Sequence, residues 1–226
     1  SVVEKENPLG YELDPEVHNV TVTFGQTATV ESKEQPTKGA LNIHKKLDPE
    51  LPDAIRNEYD LTKIIFKMTY NANPSIVKIK NADANGDVTF DGLYLGAWTV
   101  EEINAPEYHE PMQPRTVVIN SNSTDAMEYT VTNYRYQSDL EIQKLDIDTG
   151  NLVARAGATF QIKDKVGNLV SLTLRGESEK TDTFTTTNRG QIFFSEKIPA
   201  GKYTLVEIIP PKGYKIADPV EFEITG

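Results

Sequence analysis

The chain has 226 residues, 38% hydrophobic and 25% charged, with a mean hydropathy of -0.46, a profile that excludes a disordered chain and offers no apolar run long enough to span a membrane. Lys and Arg total 23 against 34 Asp and Glu, a net charge of -11, so a nucleic-acid backbone would be repelled. Cysteine is absent, which removes disulfides, thiolate nucleophiles and Cys-ligated metals, and three scattered histidines (His18, His44 and His109) give a metal centre little to build on.

Taken in chain order, short alternating and β-branched runs recur between turn residues, the mark of half-buried strands. They are Val20-Thr-Val22-Thr-Phe24, Thr116-Val-Val-Ile119, Tyr129-Thr-Val131-Thr132, Ala158-Thr-Phe160-Gln-Ile162 and Val220-Glu-Phe222-Glu-Ile224. Pro52 to Leu61 is the best helical stretch, and it is short. Asn81-Ala-Asp83-Ala-Asn85-Gly86-Asp87 looks like the start of an EF-hand loop, but its twelfth position is Gly92 rather than Glu, so it reads as a hairpin turn. Asp146-Ile-Asp148-Thr-Gly150 also reads as a turn. Long 3.6-residue periodicity is absent. The expected fold class is all-β, in antiparallel β-sandwich modules of about 90–100 residues.

An internal repeat sets the organisation. Gly201-Lys-Tyr203-Thr-Leu205-Val-Glu207-Ile-Ile-Pro-Pro211 matches Gly96-Ala-Trp98-Thr-Val100-Glu-Glu102-Ile-Asn-Ala-Pro106, each with Pro four residues after the Glu. Val2-Val-Glu4-Lys-Glu-Asn-Pro8-Leu-Gly10-Tyr11 is a truncated third copy. Upstream, Gly86-Asp-Val88-Thr-Phe90 matches Gly190-Gln-Ile192-Phe-Phe194, and Leu41-Asn-Ile43-His-Lys45 matches Leu140-Glu-Ile142-Gln-Lys144. The expected divisions are 1–36, the C-terminal part of a preceding module; 37–136, a complete module; and 137–226, a module lacking its closing strand. Nothing after 220–224 corresponds to Tyr129–Asn133.

Strand alternation aims unusual residues inward. Lys45 and Lys144 fall on the apolar face of their strands, as do Glu102 and Glu207, and Asn133 falls inward at the end of the last strand. Buried charge is costly unless paired or neutralised, and desolvation disfavours the charged form of each group. A neutral lysine amine is a nucleophile, and a protonated carboxyl can polarise an amide carbonyl. Attack of Lys45 Nζ on Asn133 Cγ with loss of ammonia would give an isopeptide bond, as a single self-modification and not as enzymatic turnover.

The L-x-I-x-K opening, the aromatic-x-aliphatic-x-Glu box with its Pro and the closing x-Val-x-Asn strand resemble the CnaB-type domains of Gram-positive surface proteins, found in stalks of cell-wall-anchored adhesins and in pilins. The resemblance covers nearly the whole chain and implies tandem Ig-like β-sandwich modules with an intramolecular Lys–Asn isopeptide bond. It implies Lys45 as nucleophile, Glu102 as catalytic acid and Asn133 as acceptor; Lys46 and Glu101 are their rivals in sequence and would point outward. Lys144 and Glu207 match in the last module, where no closing Asn is found. In the first fragment Glu4 matches, and Ser32 aligns with Asn133. Tyr108-His109 replaces the usual Gly-Tyr, and Trp98 replaces the first aromatic. The Asn122-Ser-Thr124 sequon has no meaning in a bacterial surface protein.

No cofactor and no metal are expected. The expected partners are neighbouring modules of the same surface protein, with no nucleic acid and no membrane contact from this stretch. A host matrix protein or glycan is the alternative partner, met through residues 49–80, which differ most from the last module. The parent protein is expected to be extracellular and cell-wall anchored, with leader and anchor outside this stretch.

Overall fold

The computed structural model describes residues 1–8, 10–120 and 126–226; the Asn122-Ser-Thr124 sequon lies outside them. Strands β1 (Tyr11–Glu12) and β2 (Gln35–Pro36) pair with each other, and β3 (Lys38–Leu47) follows. A four-residue helix α1 (Asp53–Arg56) and a 3-10 turn at Leu61–Lys63 lead into β4 (Ile65–Tyr70) and β5 (Val77–Asn81). Then come β6 (Asp87–Tyr94), β7 (Gly96–Asn104), β8 (Arg115–Ile119) and β9 (Met127–Asn133). The rest holds β10 (Gln137–Ser138), β11 (Glu141–Gln143), β12 (Thr159–Asp164), β13 (Leu172–Thr173) and β14 (Lys180–Thr181). It ends with β15 (Phe184–Thr185), β16 (Gln191–Phe193), β17 (Ile198–Pro199), β18 (Gly201–Ile209) and β19 (Val220–Ile224).

Two compact units divide the chain. One comprises Ser1–Lys46, Asp60–Ala105 and Pro111–Thr132; the other comprises Leu47–Tyr59, Pro106–Glu110 and Asn133–Gly226. In the first, a four-stranded antiparallel sheet in the order β5-β4-β7-β8 packs on a three-stranded sheet in the order β6-β3-β9. Alternation turns Leu41 and Ile43 of β3, Phe66 and Met68 of β4, Phe90 of β6 and Trp98 and Val100 of β7 into one core. Each such side chain contributes roughly 1.5–3 kcal/mol by leaving water. The seam between the sheets is closed by lysines of β5: Lys78 and Lys80 Nζ donate to the backbone oxygens of Asp91 and Thr89 on β6, at 2.6 and 2.7 Å. Lysines so placed protect two open edges from pairing with another chain.

In the second unit the larger sheet runs β15-β12-β18-β19, with the short pairs β11–β16, β10–β17 and β13–β14 beside it. Its core holds Phe160, Ile162, Phe184, Ile192, Ile198 and Tyr203. The swap of Trp98 for Tyr203 keeps one hydrogen bond in place. Trp98 Nε1 donates to Tyr94 O at 2.8 Å and Tyr203 OH donates to Pro199 O at 2.6 Å, each four residues back. Both rings bury an apolar body and carry one polar donor, which is why either serves.

Several local expectations are revised. Val20–Phe24 forms no strand; Val22 and Phe24 are exposed, and among the described residues their segment has no sheet neighbour against which to extend. The helix is confined to Asp53–Arg56 within the expected Pro52–Leu61. Within residues 49–80, β4 is a central strand of the larger sheet and β5 its edge. Asp83 Oδ1 accepts from the N–H groups of Asn85 and Asp87 (both 2.8 Å), closing the hairpin turn before β6 with its own carboxylate.

Candidate functional site: a buried lysine–glutamate pair

On β3 the buried positions alternate, and Lys45 takes the same side as Leu41 and Ile43 while Lys46 is exposed. On β7 the same rule turns Trp98, Val100 and Glu102 inward. The side chains of Lys45 and Glu102 are both 0% exposed, and Nζ lies 3.7 Å from Oε1. Nζ also donates to Lys46 O at 2.9 Å. Burial pushes the Lys45 amine down to about 8, against the opposing pull of the Glu102 carboxylate. A lysine so placed has a sizeable neutral, nucleophilic fraction near neutral pH. Its backbone is fixed as well: Lys45 N donates to Gly86 O at 2.9 Å, as Lys144 N does to Gly190 O at 2.8 Å.

Glu102 is set by a β-bulge. The register of β4 on β7 runs Phe66↔Glu102 and then Ile65↔Asn104, so Ile103 is the extra residue. The register of β12 on β18 runs Phe160↔Glu207 and then Thr159↔Ile209, so Ile208 is extra there. In both modules the strand kinks immediately after the glutamate, where the chain must leave the sheet. Ile103 and Ile208 point away from the core and are exposed. Glu101 stays outside, paired with Lys67 at 2.8 Å.

Asn133 is the last residue of β9, the strand next to β3, and it is buried at 1% exposure. In the last module Lys144 Nζ lies 3.0 Å from Glu207 Oε1 and 3.1 Å from Oε2, with Lys144 12% exposed and Glu207 1%. Among the described residues β11 pairs with β16 alone, whereas β3 lies between β6 and β9.

The first fragment takes a different alignment from the one read in sequence. The pairing Tyr11↔Pro36 repeats as His109↔Arg135, and the hydrogen bond Thr37 N to Gly10 O repeats as Tyr136 N to Tyr108 O. Two residues before Arg135 stands Asn133; two before Pro36 stands Glu34, not Ser32. Burial and the neighbouring Glu4 carboxyl push Glu34 up, so two carboxyls occupy the place of Glu102 and Asn133. Ser32 Oγ instead donates to Asp14 Oδ2 at 2.9 Å. Among the described residues one group, Asp14, Glu16 and His18, has ligand atoms close enough for a metal ion, and Asp14 is already engaged by His18, Ser32 and the Glu16 N–H.

The chain is an all-β tandem of antiparallel sheets with a lysine–glutamate pair in each half, Lys45–Glu102 and Lys144–Glu207. The sequence matches the SpaA prealbumin-like fold domain family twice, over residues 54–135 and 138–226, and the chain belongs to that family. Among solved structures, the TIE protein of Bacillus anthracis is 22% identical with a TM-score of 0.62 over 88% of this chain and 34% of that one. This chain thus spans about a third of the TIE protein's length. A streptococcal ancillary pilin is 18% identical with a TM-score of 0.36, covering 85% of this chain and 61% of that one. A variant of the shaft pilin SpaA from Lactobacillus rhamnosus GG is 17% identical with a TM-score of 0.34, covering 83% and 94%. No curated protein sequence matches the chain.

Proposed function

We propose that this chain is a stalk segment of a Gram-positive surface protein or pilin, in which one module is closed by a self-made isopeptide bond between Lys45 Nζ and Asn133 Cγ. The modules are 37–136 and 137–226, preceded by the end of another at 1–36. Glu102 takes a proton from the lysine and returns it to the departing amide nitrogen. The Nζ–Cγ bond forms, the Cγ–Nδ2 bond breaks and one ammonia leaves. The observation that carries this reading is the wholly buried Lys45–Glu102 pair on β3 and β7, with the buried Asn133 ending the strand beside β3. A buried ion pair adds little to stability by itself, so its presence in the core favours a chemical role.

A cross-link between the opening and closing strands carries tension past the sandwich. By analogy with a disulfide, a loop from residue 45 to residue 133 would gain roughly 4–5 kcal/mol, and the larger effect is on the rate of forced unfolding. The setting that suits this is an extracellular, cell-wall-anchored shaft whose partners are its neighbouring modules. Intact mass under denaturing conditions tests the reading: one missing ammonia, about 17 Da, supports it, and the full unmodified mass overturns it.

A further inference from the structure

In all three copies of the glutamate box the carboxylate accepts a backbone N–H from the residue ten positions on. Asp14 N donates to Glu4 Oε2 at 2.5 Å, Met112 N to Glu102 Oε2 at 2.9 Å and Ala217 N to Glu207 Oε2 at 2.7 Å. Asp, Met and Ala share no side-chain chemistry, so the repeated element is the amide itself. At Glu102 the other oxygen, Oε1, faces the amine at 3.7 Å from Lys45 Nζ, whereas in the last module Lys144 Nζ meets both oxygens, 3.0 Å from Glu207 Oε1 and donating to Oε2 at 3.1 Å. A carboxyl oxygen that accepts an N–H offers that donor a lone pair, and an acid proton aimed along the same line would collide with the N–H hydrogen.

We propose that the Met112 backbone N–H is a positioning group for the cross-linking reaction: it holds Glu102 Oε2 as an acceptor and thereby places the exchangeable proton on Oε1, the oxygen that faces Lys45. The inference rests on the isopeptide reading above. Lys45 gives its proton to Oε1, Nζ bonds to Asn133 Cγ, and the Oε1 proton goes to the amide nitrogen that departs as ammonia. Without the N–H, Oε2 loses that donor and the proton is no longer confined to Oε1.

The test removes that one hydrogen atom. Methionine 112 is replaced by its α-hydroxy acid, so that an ester oxygen stands where the N–H stood. Lys45 carries a light-removable cap; the chain is uncapped in denaturant, diluted to fold, and quenched samples are weighed over time from pH 5 to pH 10. The ester chain is expected to lose ammonia about 10- to 100-fold more slowly than the all-amide chain, the effect of deleting one donor to a charged group, with a displaced pH profile. Met112→Ala keeps the N–H and is expected to react within a few-fold of the parent. Equal rates and pH profiles for the ester and the parent overturn the inference alone. A Met112→Ala chain as slow as the ester also overturns it, because side-chain packing then explains the loss. A parent chain that never loses ammonia overturns the cross-link itself, and the positioning role with it.

Discussion

Lys45 and Lys144 stand at the same place in the repeat and meet their glutamates differently. Lys45 Nζ is 3.7 Å from Glu102 Oε1 with no exposure on either side chain, while Lys144 Nζ is 3.0 Å from Glu207 Oε1 and keeps 12%. The difference follows the sheets: β3 is flanked on both sides and β11 on one, among the described residues. The flanked lysine is the desolvated one. One ammonia, about 17 Da, is therefore expected to be missing from the chain, and Lys45→Ala or Glu102→Ala restores it. Lys144→Ala leaves the deficit unchanged, and a Lys144→Ala chain at full mass would place the bond in the wrong module.

Gly86 fixes the lysine's backbone. It holds φ +89°, and a Cβ there would lie 2.7 Å from Lys45 O and 3.2 Å from Lys45 Cβ. Both the left-handed conformation and the collision resist a side chain. Gly86→Ala is expected to cost about 2–3 kcal/mol in urea unfolding of a chain that cannot cross-link, and to slow ammonia loss where it can. An unchanged midpoint and rate would show that the turn yields freely.

The Lys45 amine gives a pH signature in a chain held open by Asn133→Ala. Its folded value of about 8 lies below the ordinary 10.5, so between those pH values the unfolded chain binds more protons than the folded one. Stability then rises with pH across that window, by at most about 3 kcal/mol. Urea midpoints of Asn133→Ala and of Asn133→Ala with Lys45→Met should diverge from pH 8 to 10. Parallel curves would mean that Lys45 is not desolvated.

On the outer face, His44 of β3 bridges its two neighbours, with Nδ1 2.7 Å from Asp87 of β6 and Nε2 2.5 Å from Glu128 of β9. Hydrogen bonds to Asp87 and then Glu128 hold the imidazole above the usual 6.5. The stabilisation is fully present below pH 6.5 and is lost as pH rises through the folded value. All three side chains are well exposed, so the effect is modest and salt-screened. His44→Gln is expected to lower the melting temperature at pH 5.5 and not at pH 9; equal losses at both would assign His44 a packing role.

The constellation was legible because strand alternation has a strict period of two. Two spaced letters before each of Lys45 and Glu102 were enough to set their faces, and the same rule separated them from Lys46 and Glu101. The fold class followed from the same alternation. Alternation misled at Val20–Phe24, where the pattern is present and the neighbouring strands are not. It also gave Ser32 in place of Glu34, because strand letters alone do not fix where a short pair such as Tyr11↔Pro36 sets the register. The Met112 amide was invisible for another reason: every residue but proline carries one.

The bulge at Ile103 separates two kinds of constraint on the chain. Before it, each residue answers to a face of the sheet. After it, the path to Met112 N answers to a count, because the amide must come back to the carboxylate ten positions on, whatever side chains lie between. The segment is thus spelled by its length. The three copies keep the count and the Pro four residues on while most other letters change, and a proline at the tenth place would remove the amide itself.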